Sequence, residues 1–335
     1  MTIVYAIIIF CLLIFAHELG HLIAAKAVGV RVNEFALGMG PKLFGFKKGE
    51  TAYTLRAFPI GGFCAMEGED EGSDDPKSFG KKPLPAKALV LLAGSLMNVL
   101  LAVLILSAVI FWNGTPSTVV SEVGAGSPAE AAGVAPGDRI VSVGDRPIEK
   151  WEDIPPAVTA ATGDVVAIGV LRDGAEMRLE SGFYMGDDGL RKIGITPASE
   201  RRARNVGPAL LLGFRATWNL GASMLEAFGM LFTGEVPVRE LTGPVGIVYI
   251  VGDVAKNGIL QLAQLTALIS LNLGIVNLLP IPALDGCRFV FLFIRKITGR
   301  AVTDEMEGKV HFVGLMLLFA LMIFVTVQDV ARFAF

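Results

Sequence analysis

The chain has 335 residues, is 53% hydrophobic and only 18% charged, and carries a formal net charge of −3. Its mean hydropathy of +0.60 is too high for an ordinary soluble domain and points to a multi-span membrane protein. The near-neutral charge, without a long basic run, argues against nucleic acid as a partner. The three scattered cysteines, Cys11, Cys64 and Cys287, make neither a disulfide framework nor a CxxC metal site.

The first apolar segment covers about 3–25. It lacks a basic leading region and a small-residue cleavage site, so it is expected to be a retained span rather than a signal peptide. Within it, LLIFAHELGHLIAAK (12–26) places His17, Glu18 and His21 among apolar residues. Two imidazoles four residues apart share one helix face, with Cβ atoms about 5–6 Å apart. That spacing lets His17 and His21 hold one zinc ion, with Glu18 beside them to take a proton from the attacking water. Two of the chain's three histidines fall in this H-E-x-x-H motif, and a bound cation explains how such groups are tolerated in an apolar helix.

The following loop contains TAYTLRAFPIGGFCAMEG (51–68). Its alternation and the turn residues Pro59-Ile60-Gly61-Gly62 predict a β-hairpin. Lys26, Arg31, Lys42, Lys47 and Lys48 precede it, and Lys81, Lys82 and Lys87 follow. By the positive-inside rule this loop is expected in the cytoplasm. A second span is predicted over about 88–112. Residues 115–200 are polar and glycine-rich, with short alternating runs that predict one small strand-rich domain outside the membrane. Its PAEAAGVAPGDRIVSVG (128–144) resembles the signature of bacterial PDZ domains, with Gly133, Pro136, Gly137 and Asp138 at the turn.

The segment 206–232 is apolar but interrupted by Arg215, Asn219 and Glu226. It is expected to lie at the interface as an amphipathic helix. Third and fourth spans are predicted near 260–284 and 310–328. Arg288, Arg295, Lys296 and Arg300 between them again point to the cytoplasm. The boundaries expected are 1–114 for the N-terminal membrane region, 115–200 for the PDZ-like domain, 201–258 for the interfacial segment and 259–335 for the C-terminal membrane region.

A catalytic zinc usually has three protein ligands and an open position. His311, the remaining histidine, reads as an interfacial residue. Asp285 in NLLPIPALDG (277–286) is the better candidate, because Pro280 and Pro282 break the helix just ahead of it. If 206–232 does not cross, the first and third spans both run inward, and Asp285 reaches the depth of the H-E-x-x-H motif.

Together HELGH, the PDZ-like insert, LTGPVGI (241–247) and NLLPIPALDG resemble the site-2 protease family of intramembrane zinc metalloproteases, most of all its bacterial regulator-of-sigma-E protease group. The resemblance covers nearly the whole chain. It implies a polytopic α-helical membrane protein of about four transmembrane helices, with one inserted extracytoplasmic PDZ-like α/β domain and a membrane-associated β-hairpin. It implies His17, His21 and Asp285 as zinc ligands and Glu18 as the catalytic base. It also implies substrate-binding roles for Asn277, Pro280 and Pro282, for Gly94 and Asn98 of a GxxxN motif, and for Gly61 and Gly62 of the hairpin.

The implied partners are membrane lipid and a transmembrane protein substrate, already trimmed by another protease, of the anti-sigma-factor or signal-peptide-remnant kind. The implied place is the inner (cytoplasmic) membrane, with the active site toward the cytoplasm. Two features depart from the family: there is room for one PDZ-like domain rather than two, and Cys287 stands where a second glycine commonly follows LDG. A zinc transporter would show an internal repeat, and an inactive scaffold would have lost Glu18; the chain shows neither feature.

Overall fold

The computed structural model describes residues 2–69, 73–186, 189–200, 205–235, 242–298 and 304–333. The chain divides into two compact units, Met1–Ala108 with Leu210–Phe335, and Val109–Ala209.

The first unit opens with α1 (Thr2–Ala27), followed by β1 (Val32–Lys48), β2 (Thr51–Met66) and α2 (Leu84–Asn113). α1 is apolar on nearly every side, as a helix surrounded by lipid or protein must be. β1 and β2 differ from the expected hairpin. Pro59–Gly62 does not fold 51–58 directly onto 63–68. The first half of β1 lies between the two halves of β2, with Glu34 opposite both Ala52 and Ala65, and Leu37 opposite both Leu55 and Gly62. The tight turn sits at Gly49, where φ is +63°, a conformation glycine adopts without a steric penalty. The alternation of 51–68 was legible, but the central strand came from 32–39, which lies outside that stretch.

The second unit is built from β3 (Thr115–Val123), α3 (Pro128–Ala131), β4 (Arg139–Val143), β5 (Arg146–Pro147), α4 (Ile154–Thr159), β6 (Val165–Arg172), β7 (Ala175–Gly182), β8 (Tyr184–Met185), β9 (Arg191–Lys192) and β10 (Ile195–Glu200). Its main sheet runs β10-β3-β4-β6-β7, with β5 beside β4. The β6–β7 turn places Asp173 at φ +50° and Gly174 at +84°, the Asp-Gly geometry whose twist matches antiparallel strands. Val120, Ile140, Ile168, Val170 and Val158 pack its core.

The predicted PDZ-signature turn is closed by a charge pair. Asp138, 1% exposed, accepts hydrogen bonds from Arg172 at both carboxylate oxygens (2.6 and 2.8 Å) and from the Ala135 backbone N–H at 2.9 Å, while Arg172 also donates to the Gly133 carbonyl at 2.7 Å. The Arg172 guanidinium holds the Asp138 carboxyl below its ordinary range.

The chain returns to the first unit through α5 (Val206–Thr233), α6 (Pro244–Lys256), α7 (Ile259–Leu278), α8 (Asp285–Thr298) and α9 (Asp304–Phe333). Among the described residues four helices are long and apolar enough to cross a membrane: α1, α2, α7 and the Glu305–Arg332 part of α9. α5, the segment expected at the interface, is a continuous helix outside that set. One face packs on α2 and α7, where Gly213 lies against Ser107 and Gly221 faces Ile275, while Phe214, Trp218 and Leu225 are exposed.

α6 starts at Gly243-Pro244 of the LTGPVGI motif; Leu241 of that motif, like Arg300 of the basic loop, lies outside the described residues. Gly243 has no side chain to cap the helix, and Asp329 of α9 supplies the acceptor instead. Its oxygens take the N–H groups of Gly243 (3.1 Å) and Gly246 (2.7 Å), donors that a helix start otherwise leaves unpaired. α7 ends at Leu278, ahead of Pro280. Asp285 therefore begins a separate helix rather than ending the third span.

Candidate active site

Three polar side chains converge where α1 meets the start of α8. The Asp285 carboxylate oxygen Oδ2 lies 3.1 Å from His17 Nε2 and 3.3 Å from His21 Nε2. The two Nε2 atoms are 3.2 Å apart. Donors on a tetrahedral zinc stand about 3.3–3.4 Å from one another, given bonds of about 2.0–2.1 Å. A near-equilateral triangle of two imidazole nitrogens and one carboxylate oxygen fits such an ion. It leaves a fourth position open. Among the described residues this is the one cluster of His, Cys, Asp or Glu that could hold a metal ion.

The rings are aimed from behind. His21 Nδ1 lies 2.9 Å from the Val90 carbonyl, which accepts the Nδ1 proton and leaves Nε2 with its lone pair free for a cation. His17 Nδ1 lies 3.3 Å from the Asn98 amide nitrogen, while Asn98 Oδ1 is buried without a partner among the described residues. If His17 Nε2 is to bind a cation, Nδ1 carries the proton and needs an acceptor. Rotating the amide by 180°, which exchanges two nearly indistinguishable atoms, presents Oδ1 to that proton and resolves both features.

α2 comes close enough to supply this support because small residues line the crossing. A Cβ on Gly20 would lie 2.2 Å from the Ala93 carbonyl oxygen, and one on Gly94 would lie 2.3 Å from His21 Nε2 and 2.8 Å from His17 Nε2. Gly94 and Asn98 thus face the ligand cluster itself, and the space at Gly94 is the space the rings occupy.

Glu18 sits beside the cluster, between α1 and the second half of β2. A Cβ on Gly62 would lie 3.3 Å from Glu18 Cγ. Gly61 adopts φ +88° and abuts Met39. A side chain in place of Gly62 would therefore meet the candidate base, and Gly61 shapes the bend before it.

Asn277, in the last turn of α7, and Pro280 and Pro282 lie on the segment leading to Asp285. Pro282 packs against α9: a Cβ on Gly314 would lie 2.2 Å from its Cβ. Gly286 is equally constrained, since a Cβ there would lie 2.3 Å from the Leu278 carbonyl oxygen. That explains the glycine of LDG. Cys287 is buried, a packing role rather than a ligand role.

Sequence reasoning set His311 aside as an interfacial residue. Its Nδ1 instead accepts the Ala283 N–H at 2.8 Å. Asp329 was not singled out at all. Neither has a local signal, because each acts on a residue tens of positions away.

The chain is similar to known proteins over nearly its whole length. The sequence profile described as Peptidase family M50 matches residues 5–321. A protein of Clostridium acetobutylicum is 37% identical over 335 residues, which is 98% of this chain and 97% of the relative. The regulator of sigma-W protease RasP of Bacillus subtilis is 32% identical, across 99% of this chain and 98% of its own. The zinc metalloprotease RasP of Geobacillus kaustophilus is 30% identical over the same shares. Among solved structures, the PDZ domain of an SdrC-like protein from Listeria monocytogenes matches 24% of this chain and 87% of its own at 19% identity and a TM-score of 0.22. The profile match over nearly the whole sequence, with full-length relatives above 30% identity, means that the chain belongs to peptidase family M50, the site-2 protease family that its motifs resemble.

Proposed function

We propose that this protein is an intramembrane zinc metalloprotease that hydrolyses peptide bonds within or near transmembrane segments of single-span membrane proteins. One observation carries the reading: the triangle of His17 Nε2, His21 Nε2 and Asp285 Oδ2, with edges of 3.1–3.3 Å, beside the Glu18 carboxyl. His17, His21 and Asp285 hold the ion. Zinc supplies Lewis acidity, which activates water and polarises the scissile carbonyl. Glu18 accepts the proton of the attacking water and passes it to the leaving amine. Asn98 and the Val90 carbonyl fix the ring orientations.

A helical substrate keeps its carbonyls in hydrogen bonds, so it must unwind before attack. The second half of β2 pairs with β1 on one side, and Gly62 on this half lies beside Glu18. Its other edge offers an unwound substrate a strand to pair with, next to the base. Asn277, Pro280, Pro282 and Gly61 shape the same cleft. The membrane orientation follows the basic loops, with the active site toward the cytoplasm and the PDZ-like unit outside. That unit selects substrates already trimmed by another protease, by taking up a new C-terminus or by size. The name of the Bacillus relative, which refers to regulation of sigma-W, supports an anti-sigma-factor-like substrate.

The test compares wild type with Glu18→Gln, both purified in detergent, for bound zinc and for cleavage of a tagged single-span substrate of the anti-sigma type. The expected result is one zinc per chain in both and cleavage by wild type alone. Folded protein that takes up no zinc after supplementation would overturn the reading.

A further inference from the structure

The Asp285 side chain is only as well placed as the loop that carries it. Between α7 and α8 the chain runs Leu279-Pro280-Ile281-Pro282-Ala283-Leu284, and Ala283 adopts φ +76°. That is the left-handed region, which a residue with a Cβ enters at a cost and which persists where surrounding structure enforces it. Two features of α9 meet the loop at this point. Gly314 receives Pro282 at a separation that leaves no room for a Cβ. One turn earlier, His311 Nδ1 accepts the Ala283 N–H at 2.8 Å. His311 and Gly314 are three apart and so share a helix face.

An imidazole nitrogen that accepts a hydrogen bond carries no proton. The proton of neutral His311 therefore lies on Nε2, where Glu307 Oε1 faces it at 3.7 Å. Glu307 is in turn held by Arg295 of α8 at 2.7 Å. The Arg295–Glu307 pair joins α8 to α9, and the Ala283–His311 hydrogen bond joins α9 to the loop, two residues from the carboxylate that faces His17 and His21.

We infer that His311 is a positioning residue for the metal centre: it holds Ala283 in its left-handed conformation and thereby aims Asp285 at the ion. The inference rests on the reading of Asp285 as a zinc ligand. The third histidine of the chain serves the same centre as the first two, through the backbone rather than as a ligand.

The test uses full-length protein in detergent and measures the zinc dissociation constant by competition with a chromophoric chelator. Asp285→Ala tests the ligand reading on its own: a wild-type constant there would sink that reading, whatever His311 does. With Asp285→Ala weakened, His311→Leu is expected to bind zinc about 10–100-fold more weakly than wild type, the usual effect of losing an outer support. His311→Asn, whose Oδ1 can take the place of Nδ1, is expected to stay within about threefold of wild type.

Ala283→Gly in the His311→Leu background is expected to recover part of the loss, because glycine takes a positive φ without enforcement. A purely structural role for the ring would give no such recovery. Zinc affinity unchanged in His311→Leu would overturn the inference. So would an equal loss in Leu and Asn variants with no recovery by Ala283→Gly. If His311→Leu does not fold, His311→Asn and His311→Gln decide, since Gln moves the acceptor one bond outward: retention in Asn with loss in Gln upholds the inference, and equal behaviour overturns it.

Discussion

Substituting Gly94 by alanine adds one methyl group where the imidazoles already are. The new Cβ would stand 2.3 Å from His21 Nε2 and 2.8 Å from both Cε1 and Nε2 of His17, about 1.2 and about 0.7 Å inside ordinary contact. Neither ring can yield freely. His21 is tied to the Val90 carbonyl and is 7% exposed, and His17 is held at Asn98. Helix α2 could make room only by moving away from α1, giving up the close approach of the Ala93 carbonyl to Gly20. Metal–ligand distances tolerate about 0.2 Å, so a displacement of about 1 Å breaks the site. Zinc affinity is expected to fall by about 100-fold or more, equivalent to about 3 kcal/mol, and cleavage by at least a similar factor. Overpacking adds a stability cost of about 1–3 kcal/mol. The assay is chelator competition on detergent-purified protein, with Gly252→Ala as a control. A Cβ there would lie 2.3 Å from Thr2 Cγ2, a similar clash at the other end of α1, and the substitution should leave zinc within a few-fold. Wild-type zinc affinity and cleavage in Gly94→Ala would refute the geometry.

Three further outcomes are expected. Asn98→Leu keeps the volume but removes the acceptor for the His17 Nδ1 proton, so zinc affinity should drop by about 10–100-fold. Asn98→Asp, which retains an acceptor, should hold it, and equal loss in both by chelator competition would count against the tautomer argument. Asp329→Leu should lower the thermal unfolding midpoint in detergent, because two N–H groups at the start of α6 lose their acceptor at a cost of about 1–3 kcal/mol each; Asp329→Asn should lose less. Arg172→Leu leaves Asp138 buried without its cation, and hydrogen exchange of β4 and β6 should show about 2 kcal/mol less protection at pH 7. The Asp138 pKa is lowered in the folded state, so this stabilisation is present above the unfolded value of about 3.9 and is lost as pH falls through the folded one. The two proteins should therefore converge only as pH falls through the lowered folded pKa of Asp138, beneath the unfolded value of about 3.9.

The parts of the site that were legible in the sequence are those with a local period. His17, Glu18 and His21 announce themselves by helical spacing, and Asp285 by the prolines ahead of it. The strands of 115–200 and the apolar spans follow from alternation and run length. Other features carry no such signal. The first half of β1 enters between the halves of β2 through long-range pairing, which no run of residues displays. The third apolar run conceals a stop at Leu278 and a restart at Asp285, since the residues between remain apolar while the backbone turns. Gly94 reads as a packing glycine until the imidazoles are seen against it. His311 and Asp329 act on Ala283 and on Gly243 and Gly246, and only the tertiary structure reveals those partners.

The place of α9 in the chain sets an order of assembly. The H-E-x-x-H motif is made among the first residues and Asp285 some 260 residues later, yet the turn that presents Asp285 rests on His311 and Gly314 of the final helix. The same helix fastens α6 near its far end through Asp329. On the proposed reading, a nascent chain therefore carries His17, His21 and Asp285 before it carries the helix that supports the turn bearing Asp285. A chain stalled or truncated before α9 would then hold these candidate ligands without that support.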